Sequence, residues 1–100
     1  MKIEIDIVKR MLFVGGSKDR MTMIYASDVF PPEYSFTRLD NELAVERYVL
    51  FAIAGDYKEA GIYVEASLIP ELRLCLREID EITFTNFFNC VNKILKRREG

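Results

Sequence analysis

Ile3, Ile5 and Ile7 alternate with Lys2, Glu4 and Asp6, a period of two that predicts a strand with one wet face. Lys9 to Val14 continues apolar into the turn cluster Gly15-Gly16-Ser17-Lys18-Asp19. Met21 to Phe30, rich in β-formers and closed by Pro31-Pro32, predicts a further strand. A helix from Ile7 to Val14, with Asp6 as N-cap and Gly15 just past its end, is the rival reading of the same residues. Asp40 reads as the N-cap of a helix running from Asn41 to Ala54 and stopped by Gly55. Beyond it, Ile62, Val64 and Ala66 alternate with Tyr63, Glu65 and Ser67. After Pro70-Glu71, Leu72, Leu74 and Leu76 alternate with Arg73, Cys75 and Arg77, so the two runs predict a second hairpin. From Thr83 the period becomes 3.6. Phe84, Phe87, Phe88, Val91, Ile94 and Leu95 form one stripe opposite Asn86, Asn89, Asn92, Lys93 and Lys96, which predicts an amphipathic helix over 83–97. The expected fold is a single α+β domain over 1–100: an antiparallel twisted sheet of about five strands with two helices packed on it, in the order β-β-β-α-β-β-α.

Composition narrows the function. Half of the 100 residues are hydrophobic, enough for a sizeable core, and the net charge of −2 does not suit a protein that neutralises nucleic-acid phosphates. The basic tail Lys93, Lys96, Arg97, Arg98 lies where it complements the dipole of the closing helix. Cys75 and Cys90, fifteen residues apart in a chain without His, read as free small hydrophobes of a reducing cytosol rather than a zinc site or disulfide framework. The charged, alternating N-terminus is unlike a signal peptide, and no apolar run approaches the ~20 residues of a membrane span. The expectation is a soluble cytoplasmic protein with no nucleic-acid or membrane partner.

No catalytic set is legible. Gly15-Gly16-Ser17-Lys18 lacks the spacing of a phosphate-binding loop and reads as a hairpin turn. Glu78, Asp80 and Glu81 read as solvated acids before a helix start, and Cys75 has no His to activate it. We therefore expect no catalytic residues, no cofactor and no metal.

Two apolar stretches stand out. Tyr48-Val49-Leu50-Phe51-Ala52-Ile53-Ala54 leaves the second half of the expected central helix without a polar face. Such a helix must be covered on both sides, by the closing helix or by a second copy of the chain. The alternative is that these residues form a buried strand, since Tyr, Val, Phe and Ile favour strands. In Met21-Thr22-Met23-Ile24-Tyr25-Ala26 neither face is plainly polar, which fits either core or a surface adapted to apolar segments.

The order of elements resembles the class I type III secretion chaperones and the YbjN-like domains that share their fold. The residues that carry the likeness are Met23-Ile24-Tyr25 leading into Phe30-Pro31, the expected apolar helix Leu43 to Ala54, the expected hairpin Ile62 to Arg77, and the closing helix with Phe84, Phe87, Phe88 and Leu95. The resemblance implies a cytosolic homodimer that holds an extended segment of a secreted effector without ATP. It makes Tyr48, Phe51 and Ile53 candidate dimer contacts, and Met21, Met23, Tyr25 and Phe30 candidate partner contacts. Family members usually begin with a helix, whereas Lys2 to Ile7 reads as strand. The expected function is a non-enzymatic protein-binding domain of this chaperone kind. The alternative is a small acidic inhibitor or immunity protein steered to a basic toxin or nuclease by the charge around Glu71 to Glu81.

Overall fold

A computed structural model describes residues 8–27, 29–38 and 41–99. The expected first strand over Lys2 to Ile7 and the Asp40 cap lie outside these residues. Five strands, β1 (Lys9–Val14), β2 (Thr22–Tyr25), β3 (Glu33–Arg38), β4 (Asn41–Ala54) and β5 (Ala60–Glu65), form one curled sheet in the order β2-β1-β5-β4-β3. Two helices, α1 (Ile69–Arg77) and α2 (Phe84–Glu99), complete an α+β domain. The sheet is mixed rather than antiparallel, because β1 and β5 run parallel while the other neighbours are antiparallel. Lys9–Val14 is a strand, which overturns the helix reading of that segment.

The expected central helix is the longest strand of the sheet. Asn41–Ala54 pairs with β3 through Val49 and with β5 from Tyr48 onward. From Tyr48 to Phe51 the apolar run needs no wet face, because its side chains pack on both sides of the sheet, whereas Ala52 and Ile53 are exposed. Tyr48 and Leu50 point to one cluster, while Val49 and Phe51 point to the other. The partner of its first half is β3, a strand that the residues 33–38 did not announce by alternation of Val or Ile.

The expected second hairpin is half strand and half helix. After β5, Pro70 sits at the start of α1, where its missing N–H costs nothing. Ile69, Leu72 and Leu76 are buried at helical spacing, whereas Leu74, part of the same alternation of leucines, is exposed. Runs of Leu and Arg are good helix formers and alternate by accident here. α2 begins at Thr83, whose Oγ1 accepts from the Asn86 N–H at 3.1 Å as an N-cap side chain does. Cys75 of α1 and Cys90 of α2 form a disulfide with Cα atoms 6.0 Å apart, so the expectation of free thiols is corrected.

Two clusters occupy the two faces of the sheet. Val14, Ile62 and Val64 meet Leu72, Leu76, Phe87, Val91 and Ile94 beneath the helices. On the opposite face Met11, Phe13, Tyr48 and Tyr63 are fully buried among Phe30, Tyr34 and Phe36. Among the described residues no helix covers this second face; the curl of the sheet and the residues around Phe30 close it. Phe30 lies over Gly61, where an added Cβ would come within 2.8 Å of the ring. The Tyr63 hydroxyl donates to the Pro31 carbonyl at 2.6 Å, and the Leu50 N–H donates to that of Pro32 at 2.9 Å.

Candidate functional site

The turn at Gly15–Lys18 is the place where a loop of backbone N–H groups could hold an anion. Gly15 and Gly16 both take positive φ, which leaves the Ser17 and Lys18 N–H groups pointing inward. The anion is already supplied by the chain. The Glu46 carboxylate accepts from the Ser17 N–H at 2.9 Å and from the Ser17 hydroxyl, and the Tyr48 hydroxyl accepts from the Lys18 N–H at 3.1 Å. Tyr48 donates in turn to the Gly15 carbonyl at 2.8 Å. Burial first, and then the neighbouring Glu46 charge, push the Tyr48 hydroxyl up to about 12, although the Lys18 N–H pulls the other way. This loop is a structural lock, as its turn reading implied.

The residues expected to meet partners divide into two groups. Met21, Met23, Tyr25 and Phe30 are brought together on the aromatic face. Phe30 is buried there, stacked on Tyr25 with ring centroids 6.1 Å apart, and the other three are half-buried. Tyr48 is 0% exposed inside the same cluster, with both of its hydrogen-bonding roles used within the chain. Phe51 and Ile53 lie elsewhere, at the other end of β4.

There a bulge changes the direction of the strand. Leu50 pairs with Tyr63 and Ala52 with Ile62, which leaves Phe51 as the extra residue. Phe51 turns towards the helices and packs on Phe87 with ring centroids 5.7 Å apart. Beside it opens a groove of about 310 Å³, floored by Phe51, Ala54 and Ile62 and walled by Ile53 on one side and Ile82, Phe84 and Phe87 on the other. Ile53, Ile82 and Phe84 are 48%, 61% and 53% exposed. Among the described residues of the lining, Thr83 is the sole polar one and none is charged. Beyond Val49, β4 is bordered by β5 on one side, and among the described residues no strand lies on the other. Among the described residues, the apolar groove thus adjoins a stretch of β4, beyond Leu50, with no strand beside it on that edge.

A larger hollow, about 730 Å³, lies between α1 and α2 and has a different character. Glu71 and Glu78 face Lys93, Lys96 and Arg97 across it, and Leu74 and Cys75 form its floor. Charges of both signs line it, and Glu71 is held by Arg98 at 2.7 Å.

Phe51 and Ile53, expected as dimer contacts, lie in this lining, and Ile82, which sits between the acids and the helix and belongs to no periodic run, was not singled out. Phe84 was assigned to the buried stripe of α2. As the first residue of the helix it is exposed, stacked on Phe88 at 6.3 Å. Among the described residues no three His, Cys, Asp or Glu side chains are grouped as metal ligands would be. No helix among them is long and apolar enough to cross a membrane. No family model, curated protein or solved structure matches the chain.

Proposed function

We propose that the chain is a protein-binding domain without catalytic activity, which takes an extended apolar segment of a partner protein against the open half of β4. One observation carries the reading. Ile53 of β4, and Ile82 and Phe84 at the entry to α2, are exposed around a single groove whose described lining carries no charge. Large apolar side chains gathered in this way mark interaction surfaces, whereas scattered ones do not. The adjoining strand edge supplies backbone hydrogen bonds to an extended segment, and the groove supplies a pocket for its alternate side chains. A chaperone-like role, as the resemblance implies, is the form of binding that uses these features and nothing more.

In this reading the contact surface is the groove with Phe51 and Ile53. Met21, Met23, Tyr25 and Phe30 serve to seal the aromatic face. The acids between Glu71 and Glu78 are interleaved with tail cations, so binding is expected to respond little to salt. The test is selection of binding peptides from a random library on the immobilised protein. Enriched peptides should carry apolar residues at alternate positions and lose about tenfold or more in affinity against Ile53→Asp, a cost of about 1.4 kcal/mol. Ile24→Asp, at an exposed position on the distant edge strand β2, should bind them as the parent does. Failure to enrich any peptide, or affinities indifferent to Ile53→Asp, would sink the proposal. A second copy of the chain is the rival occupant. Light scattering would show it as a mass rising from 11.7 kDa towards about twice that value with concentration, and Ile53→Asp would abolish the rise.

A further inference from the structure

We propose that the Cys75–Cys90 disulfide is a reducible clamp that fixes the wall of the groove, so that thiol redox chemistry sets how rigid the binding surface is. Three observations carry this. Cys75 is half-buried and lies on the floor of the open cleft between α1 and α2, whereas Cys90 is 3% exposed in the core. Cys75 is therefore the more accessible of the two half-cystines, although it also packs against the core. Lys93, Lys96 and Arg97 line that cleft against Glu71 and Glu78, so the cations outnumber the carboxylates where an anionic thiolate must approach.

The second observation is the division of labour along the helix pair. At one end, Arg98 of α2 ties α1 through Glu71 at 2.7 Å and through the Ser67 hydroxyl and carbonyl at 3.0 Å. At the other end, the disulfide is the covalent link between the last turns of α1 and the body of α2. The third is the connection that leaves α1 at this disulfide end. Residues 78–83 join α1 to α2 and bring Ile82 and Thr83 to the groove, immediately before Phe84. Ile69, Leu72 and Leu76 keep α1 in the core without help from the disulfide. Reduction thus frees one end of the helix pair while leaving the fold in place.

The chemistry balances with a monothiol of the glutathione class. Its thiolate attacks Cys75 Sγ, the S–S bond breaks, and the electron pair leaves on Cys90 Sγ, which takes a proton. A second thiolate attacks the reductant's sulfur in the mixed disulfide and displaces Cys75, which is protonated, and the two reductant molecules leave as their own disulfide. Two electrons and two protons enter the protein.

The effect on binding rests on the role proposed above, but the clamp itself is tested without any partner. Amide hydrogen exchange would be followed on the full chain, air-oxidised and after dithiothreitol, with free thiols counted in both states. The expected result is no free thiol before reduction and two after it. Exchange over 78–87 should rise at least about tenfold, within what a link closing a fifteen-residue loop can supply, with 60–65 unchanged. Cys75→Ser without reductant should reproduce the reduced pattern. Two free thiols in oxidising glutathione buffer, or equal exchange in both states, would overturn the proposal. So would loss of protection throughout the chain on reduction, because the disulfide would then be a staple of the whole fold. A groove that failed to select peptides would leave these outcomes untouched.

Discussion

Tyr48 illustrates how much one side chain settles. Its ring fills the aromatic cluster edge-on to Phe13 and Phe36, and its hydroxyl closes the turn between β1 and β2 from a strand two places away in the sheet. Tyr48→Phe keeps the ring but leaves the Gly15 carbonyl and the Lys18 N–H without their partner. We expect a loss of about 1–3 kcal/mol in urea unfolding. The same hydroxyl makes stability depend on alkaline pH. Burial raises both Tyr48 and Tyr63 from 10.0 to about 12. Below pH 10 their contribution is complete. Between the two values the unfolded chain releases protons that the folded chain retains, so stability falls as pH rises. Urea midpoints measured from pH 8 to 12 should show this decline, and Tyr48→Phe should make it shallower. Gly61 is a second such residue. Gly61→Ala would force the Phe30 ring off β5, at a cost of about 1–3 kcal/mol that differential scanning calorimetry would record as a lowered Tm. None of these relations could be read along the chain, because each joins residues about thirty positions apart. Only the turn character of Gly15-Gly16 was legible locally, because glycine at positive φ is a property of the residue itself.

Among the elements, β4 and α1 exchanged the identities that their patterns suggested, for physical reasons that differ. In β4 the run Tyr48 to Phe51 satisfies two clusters, one on each face, and a strand with two dry faces has no polar period to reveal it. The preference of Tyr, Val, Phe and Ile for strands was the usable signal, and it favoured the alternative over the helix. In α1 three leucines at spacing two imitated a strand, while the true helical set Ile69, Leu72, Leu76 was hidden within them. Substitution separates the two identities. Leu72→Ala should cost about 2–5 kcal/mol as a core truncation, while Leu74→Ala should change stability by no more than about 0.5 kcal/mol. In a strand all three leucines would face one way, and equal costs at 72 and 74 would contradict the helix. The closing helix was legible because its face is half wet, so that the 3.6 period survives from Phe87 to Ile94.

At the scale of the molecule, the sheet has two apolar faces and resolves each by a different means. The helices cover one, while the curl of the sheet and the Phe30–Pro32 segment cover the other. The groove beside the open half of β4 remains where neither cover reaches. That remainder gives the molecule its proposed role, and it contains Phe51 and Ile53, which the sequence offered as dimer contacts rather than as a partner groove. Ile82, just before α2, and Phe84, its first residue, complete it, and neither stands out in the sequence as exposed. The most direct measurement is a backbone chemical-shift map of the ¹⁵N-labelled protein titrated with a library-selected peptide. The account predicts saturable shifts over residues 51–54 and 82–87, with residues 22–25 of the far edge unmoved. Shifts confined to Met21, Met23, Tyr25 and Phe30, or to the cleft between the helices, would contradict it.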